Sequence, residues 1–197
     1  MNVFAAVKKW SMGVAAAAVL GMSAGTVVGA TQVARSPWLS VDRAHKTATV
    51  RIVAGYNGNN GGFNFDGYNA GAMTVTVPVG WTIDVVFRND SKIPHSVLVV
   101  PYAKRLLDSG FSAVFPGAAT PDAMRGMMGG KPESFHFRAA KAGRFALVCG
   151  VPGHSHKGLW DVLVISPHAK LPGITTKQPP SGTGSGQTGG SGSSSGW

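Results

Sequence analysis

The stretch "RFALVCGVPGHSHKGLWDVLVIS", Arg144 to Ser166, holds two strand-like apolar runs separated by a short loop rich in Gly and Pro. The first run ends on Cys149, the single cysteine of the chain, so no intramolecular disulfide can form. His154 follows after four residues, and Leu159 after four more, as the second run begins. The end of a strand fixes the cysteine, and the loop turns the histidine back beside it. One thiol and one imidazole held on a single loop suggest a metal site, although leucine occupies a position where a third soft ligand is expected.

Outward from this stretch, the middle of the chain reads as short strands. "TATVRIVAG" alternates and is β-branched, and "AMTVTVPVG" sets Met73, Val75 and Val77 against Thr74 and Thr76. "WTIDVVFRND" places Trp81, Ile83, Val85 and Phe87 on one face, and "FNFDG" does the same for Phe63 and Phe65. "HSVLVVP" is a continuous apolar run, as an inner strand requires, and "ESFHFRA" adds another segment. Turn residues at short spacings between these runs are the signature of an all-β sandwich or barrel. One long insertion, 102–131, interrupts the series. Its first part, Tyr102 to Val114, spaces Leu106, Leu107 and Phe111 as a short helix would. Connections of this length often lie over a functional site.

The two ends differ from the middle. Lys8 and Lys9 precede an uncharged run from Trp10 to Ala34, so residues 1–34 read as an export signal. It is either a signal peptide cleaved near Val28-Gly29-Ala30 or an uncleaved membrane anchor. The two lysines put the bulk of the chain outside the cytoplasm in both cases, on the periplasmic or extracellular side. Residues 35–46 read as a linker, 47–168 as the domain, and 169–197 as a flexible tail rich in Gly, Ser and Pro. The net charge is +10, from 18 Lys+Arg against 8 Asp+Glu. The basic residues are scattered and no nucleic-acid motif accompanies them, so no nucleic-acid partner is expected. So few carboxylates suit an acidic exterior, because few groups need protonating there.

A second part of the metal site must come from elsewhere in the fold. His95, in "NDSKIPHSVLVV", opens an inner strand. If that strand neighbours the one ending at Cys149, His95 and Cys149 share one end of the sandwich. Two imidazoles and one thiolate make a trigonal set suited to a type 1 copper site, one ion per chain cycling between Cu(I) and Cu(II).

"PHSVLV", "FALVCGVPGHSHKGLWDVLVIS" and "FNFDGYNAGAMTVTVPVGWTIDVVFRND" resemble the blue copper proteins of the cupredoxin family, most closely the membrane-attached sulfocyanins. The resemblance covers about 47–166. It implies a Greek-key β-sandwich, a mononuclear copper centre, an electron-carrier role rather than an enzyme, and His95, Cys149 and His154 as ligands. It also implies that Ser96, next to a ligand, ties the ligand loops together by hydrogen bonds. The edge of His154 is the implied electron port, where a cytochrome or terminal oxidase of a respiratory chain would dock. The departure is Leu159, where the family is expected to carry an axial methionine. Leucine has no lone pair, and a missing donor costs Cu(II) more than Cu(I), so a high reduction potential is expected.

His156 is available as an alternative ligand but reads as a solvent-exposed imidazole. His45, His136 and His168 have no partner motif, and His136 points outward if Phe135 and Phe137 face the core. Met124, Met127 and Met128 raise a copper-handling alternative, against which stands their use as apolar cover. A copper oxidase would need further His pairs, and His154-Ser155-His156 is the single His-x-His in the chain.

Overall fold

The computed structural model describes residues 36–177. The export signal and most of the tail lie outside the described residues. Nine strands form two sheets: β1 (Leu39–Asp42), β2 (Thr47–Ala54), β3 (Met73–Pro78), β4 (Thr82–Asn89), β5 (Leu98–Pro101), β6 (Glu133–Arg138), β7 (Gly143–Val148), β8 (Trp160–Ser166) and β9 (Gly173–Thr176). One sheet has the order β1-β2-β4-β6 and the other β5-β7-β8-β3-β9. Both are mixed, with β2–β4 and β3–β8 as parallel pairs. The all-β sandwich expected from the alternation is the observed architecture.

The alternation explains the layering. In β4, Ile83, Val85 and Phe87 are buried while Asp84, Val86 and Arg88 are half-exposed, and β3 buries Met73, Val75 and Val77. The β4 side chains meet Val75 and Val77 of β3, Val99 of β5, Leu147 of β7 and Leu163 of β8, all on the opposite sheet, in one core. Burying each such side chain is worth about 1.5–3 kcal/mol, which is why the two inner faces stay together. The outer face of the five-stranded sheet is apolar as well. Leu98, Val100, Ala146, Val148, Trp160 and Val162 form a second buried cluster there with Phe111 from the insertion.

The domain extends beyond the expected 47–168. β1 lies in the segment read as a linker, and β9 in the segment read as tail. Both are edge strands with little apolar content: Leu39 and Ile174 alone pack on the main core, and ladders to β2 and β3 hold the rest. The helix expected from Tyr102 to Val114 is not formed, and only a single 3-10 turn, Tyr102–Lys104, appears. Leu106 and Leu107 are exposed, so the apolar spacing there marks no core-facing stripe, and Gly110 at φ +72° turns the chain. "FNFDG" is likewise no extended strand. Phe65 makes isolated bridges to Ala54 and Tyr68.

Two buried carboxyls fasten the segment between β2 and β3. Asp66 Oδ1 accepts a hydrogen bond from the Val53 amide at 2.7 Å, and Asp161 Oδ1 accepts one from the Met73 amide at 2.9 Å. The second oxygen of each is buried without a partner.

Candidate metal centre

β5 and β7 are antiparallel neighbours with Leu98 opposite Val148. His95, just before β5, and Cys149, just after β7, therefore lie at the same end of the sandwich. The loop from Cys149 to Trp160 folds back on itself: the His154 amide donates to the Val151 carbonyl at 3.1 Å and the Leu159 amide to the His154 carbonyl at 3.2 Å. Cys149 Sγ thereby stands 3.8 Å from His95 Nδ1 and 3.5 Å from His154 Nδ1, and the three donor atoms lie within 4.8 Å of one another. An ion in the plane of three donors, with bonds of about 2.0–2.1 Å to nitrogen and 2.3 Å to sulfur, would hold N and S about 3.7 Å apart. The observed separations match that spacing, and the donors are the two imidazoles and one thiolate that suit type 1 copper.

The surroundings favour metal over proton. His95 is fully buried, and burial, reinforced by the nearby His154, holds its pKa down at about 4. Burial also lowers that of His154, with Lys157 adding to the effect. His95 is thus neutral and free to donate a lone pair at mildly acidic pH, and the shift at His154 runs in the same direction. Burial raises the Cys149 thiol, which a coordinated cation deprotonates outright.

Residues 35–176 match the sulfocyanin (SoxE) domain family. The chain is 30% identical over 136 residues to sulfocyanin of Sulfolobus acidocaldarius, an alignment that covers 66% of this chain and 68% of the relative.

The chain belongs to the sulfocyanin family.

It is a cupredoxin-type blue copper electron-transfer protein, with one copper as its cofactor. Solved structures with a similar fold include reduced auracyanin from Roseiflexus castenholzii, at 22% identity and a TM-score of 0.43, over 60% of this chain and 97% of that one. Reduced rusticyanin is 21% identical with a TM-score of 0.43, over 66% of this chain and 90% of that one. The multicopper oxidase mgLAC is 19% identical with a TM-score of 0.39, over 55% of this chain and 33% of that one.

In this sulfocyanin-family domain Ser96 joins three segments. Its hydroxyl donates to the Ala123 carbonyl at 2.7 Å and accepts from the Gly150 amide at 2.9 Å, and it lies 3.8 Å from Cys149 Sγ. The insertion braces the site from two sides. Residues 107–108 meet the ligand loop, where the Gly153 amide donates to the Asp108 carbonyl and Ser155 Oγ to the Leu107 carbonyl. Met127 is paired with His95 by reciprocal backbone hydrogen bonds of 2.8 and 3.1 Å. Gly126 between them is obligatory: a Cβ there would lie 2.7 Å from Val151 Cγ2 and 3.0 Å from the His95 carbonyl, at φ +72°.

Leu159 is fully buried in the main core with Cys149, and its carbonyl accepts from the Cys149 amide at 3.1 Å. His156 is turned away from the donor group and pairs with Asp108 at 3.1 Å. The three methionines do not converge. Met124 packs on the outer cluster, Met127 on the main core, and Met128 is exposed. His136 and His168 are exposed, and His45 pairs with Asp42 at 2.7 Å.

Sequence reasoning missed Phe63 as part of the site. Its ring stands edge-on to His154 at 5.1 Å and to His95 at 6.1 Å, and Lys157 Nζ lies 4.4 Å from the ring centroid. Asn60 donates to the Phe63 and Lys157 carbonyls and fixes that contact. The alternation of "FNFDG" signalled a core pair and carried no sign that one phenylalanine would wall the metal site.

Proposed function

We propose that this chain passes single electrons along a respiratory chain outside the cytoplasm, through a copper held by His95, Cys149 and His154, with Leu159 at the axial position as a non-ligating side chain. The observation that carries the reading is the mutual spacing of the three donor atoms, set by a strand end, a neighbouring strand start and one loop. Bound there, copper supplies a one-electron Cu(I)/Cu(II) couple. The chain's own residues hold it: β5 and β7 anchor two donors, Ser96 locks their loops, and Phe63 and Leu159 restrict water. A rigid sandwich that presents one geometry to both oxidation states keeps reorganisation small.

Leu159 offers no lone pair, and Cu(II) gains more than Cu(I) from an extra donor, so the potential is high. Among the described residues this is the one group of three close metal donors, which suits a carrier rather than a multi-copper oxidase. The divergent methionines speak against copper handling. His154 is half-buried beside Val151 and Pro152, which favours its edge as the port for a cytochrome or terminal oxidase docking weakly and briefly. Export by residues 1–34, cleaved or retained as an anchor, would place that exchange on the outer side of the cytoplasmic membrane.

A redox titration of the copper-loaded chain tests the reading. A reversible one-electron transition is expected, at a potential that falls in Leu159→Met. A potential that rises in that variant, or an irreversible transition, would overturn the axial assignment or the carrier role respectively.

A further inference from the structure

The outer face of the five-stranded sheet carries a charged aromatic cluster that the copper site does not use. Pro101, the last residue of β5, pairs with Phe145 of β7, so Tyr102 comes beside Arg144. The Arg144 guanidinium lies 3.9 Å from the centre of the Tyr102 ring, and that of Arg105 lies 4.1 Å from the same ring and 4.9 Å from the Trp160 ring. Lys104 is exposed next to them. Arg105 donates from Nη1 to the Tyr102 carbonyl at 3.0 Å, while its Nε is buried without an acceptor.

No carboxylate answers these cations. The ion pairs among the described residues are His45–Asp42, Arg88–Asp90, Arg125–Asp122 and His156–Asp108, so the nearby Asp108 is already engaged. Asp161, beside Trp160 in sequence, is buried and its Oδ1 accepts from Met73. Two guanidiniums on one ring repel, and contact with the aromatic faces offsets only part of that. An anion arriving from outside would supply the missing partner, and guanidinium is the group best matched to carboxylate.

The cluster is also connected to the metal centre. Tyr102 meets Trp160 edge-on at 6.0 Å. Trp160 is bonded to Leu159, whose carbonyl accepts from the Cys149 amide at 3.1 Å. Ring contact, peptide bond and hydrogen bond thus form a continuous line from the surface to the thiolate ligand.

We propose that Lys104, Arg105 and Arg144 around Tyr102 form a second docking surface, distinct from the His154 edge, for an acidic one-electron acceptor protein. In the exchange one electron leaves Cu(I), which becomes Cu(II), and one centre of the acidic partner is reduced by one electron, with no bond or proton transferred. The electron path rests on the carrier reading, whereas the anion-binding surface does not.

The test uses the full chain loaded with Cu(I) and hexacyanochromate(III) as a paramagnetic anionic probe. Amide broadening in NMR spectra is expected at Tyr102, Lys104, Arg105 and Arg144, lost in Arg105→Gln/Arg144→Gln and restored in Arg105→Lys/Arg144→Lys. Broadening confined to residues 151–157 would overturn the surface, and can do so while the blue copper band is intact. Stopped-flow oxidation by hexacyanoferrate(III) at low ionic strength should slow about tenfold in the glutamine variant. Oxidation by a cationic cobalt(III) phenanthroline complex should not slow. Equal losses with both oxidants would overturn the proposal.

Discussion

The buried carboxyls Asp66 and Asp161 each make a contribution to stability that falls as pH rises, the reverse of a carboxylate held ionised in the fold. Burial pushes both carboxyls well above the ordinary aspartate range, and for Asp66 the proximity of Asp161 adds to the rise. A carboxyl raised in the folded state contributes stability that is complete below the unfolded pKa and is lost as pH climbs through the folded one. Between those limits each group is neutral when folded and ionised when unfolded, so each lowers stability by about 1.4 kcal/mol per pH unit, and the pair by about 2.7. The imidazoles of His95 and His154 act in the opposite sense up to their ordinary pKa of 6.5. The comparison must therefore be between proteins that share those histidines. Urea unfolding of the parent and of Asp161→Asn, from pH 5 to 8, isolates the carboxyl. Asn keeps an acceptor for the Met73 amide, so the fold is retained. The stability of the parent relative to the variant should fall as pH rises, by up to about 1.4 kcal/mol per pH unit while the folded carboxyl stays neutral. Two profiles running parallel across that range would refute the claim that Asp161 is neutral in the folded domain.

Other expectations follow from the loops around the metal. Ser96→Ala leaves the Gly150 amide and Ala123 carbonyl unpaired, so a loss of about 2–3 kcal/mol in urea unfolding and a shifted copper absorption band are expected. Gly126→Ala forces the methionine loop off His95 and should destabilise by about 1–3 kcal/mol, measurable as a lower midpoint for thermal unfolding. His156→Ala breaks only an exposed ion pair with Asp108, so both copper spectrum and stability should match the parent. A lost or altered spectrum in that variant would place His156 in the coordination sphere.

Much of this was legible in the sequence because period-two alternation and a ligand loop are local signals. Val75 and Val77 or Ile83 and Phe87 announce an inner face whatever their partners, and the Cys149 to His154 spacing fits a loop between adjacent strands. β1 and β9 were not legible because each brings a single apolar side chain to the core, Leu39 or Ile174, and backbone ladders hold the rest. The false helix arose at Leu106 and Leu107, whose spacing mimics a stripe but which border solvent. Phe63 was hidden for another reason: its contact with His154 spans a long sequence separation and depends on how Asn60 draws the two loops together. The cluster of Tyr102, Arg105 and Arg144 likewise exists only once β5 and β7 are paired.

The central claim is that His95, Cys149 and His154 bind one copper as a type 1 centre. Loading the chain with Cu(II) and recording visible absorption and EPR tests it most directly. An intense thiolate-to-copper band, one equivalent per chain, should appear and should vanish in Cys149→Ser. A band that survives in that variant, or that never forms in the parent protein, would contradict the account.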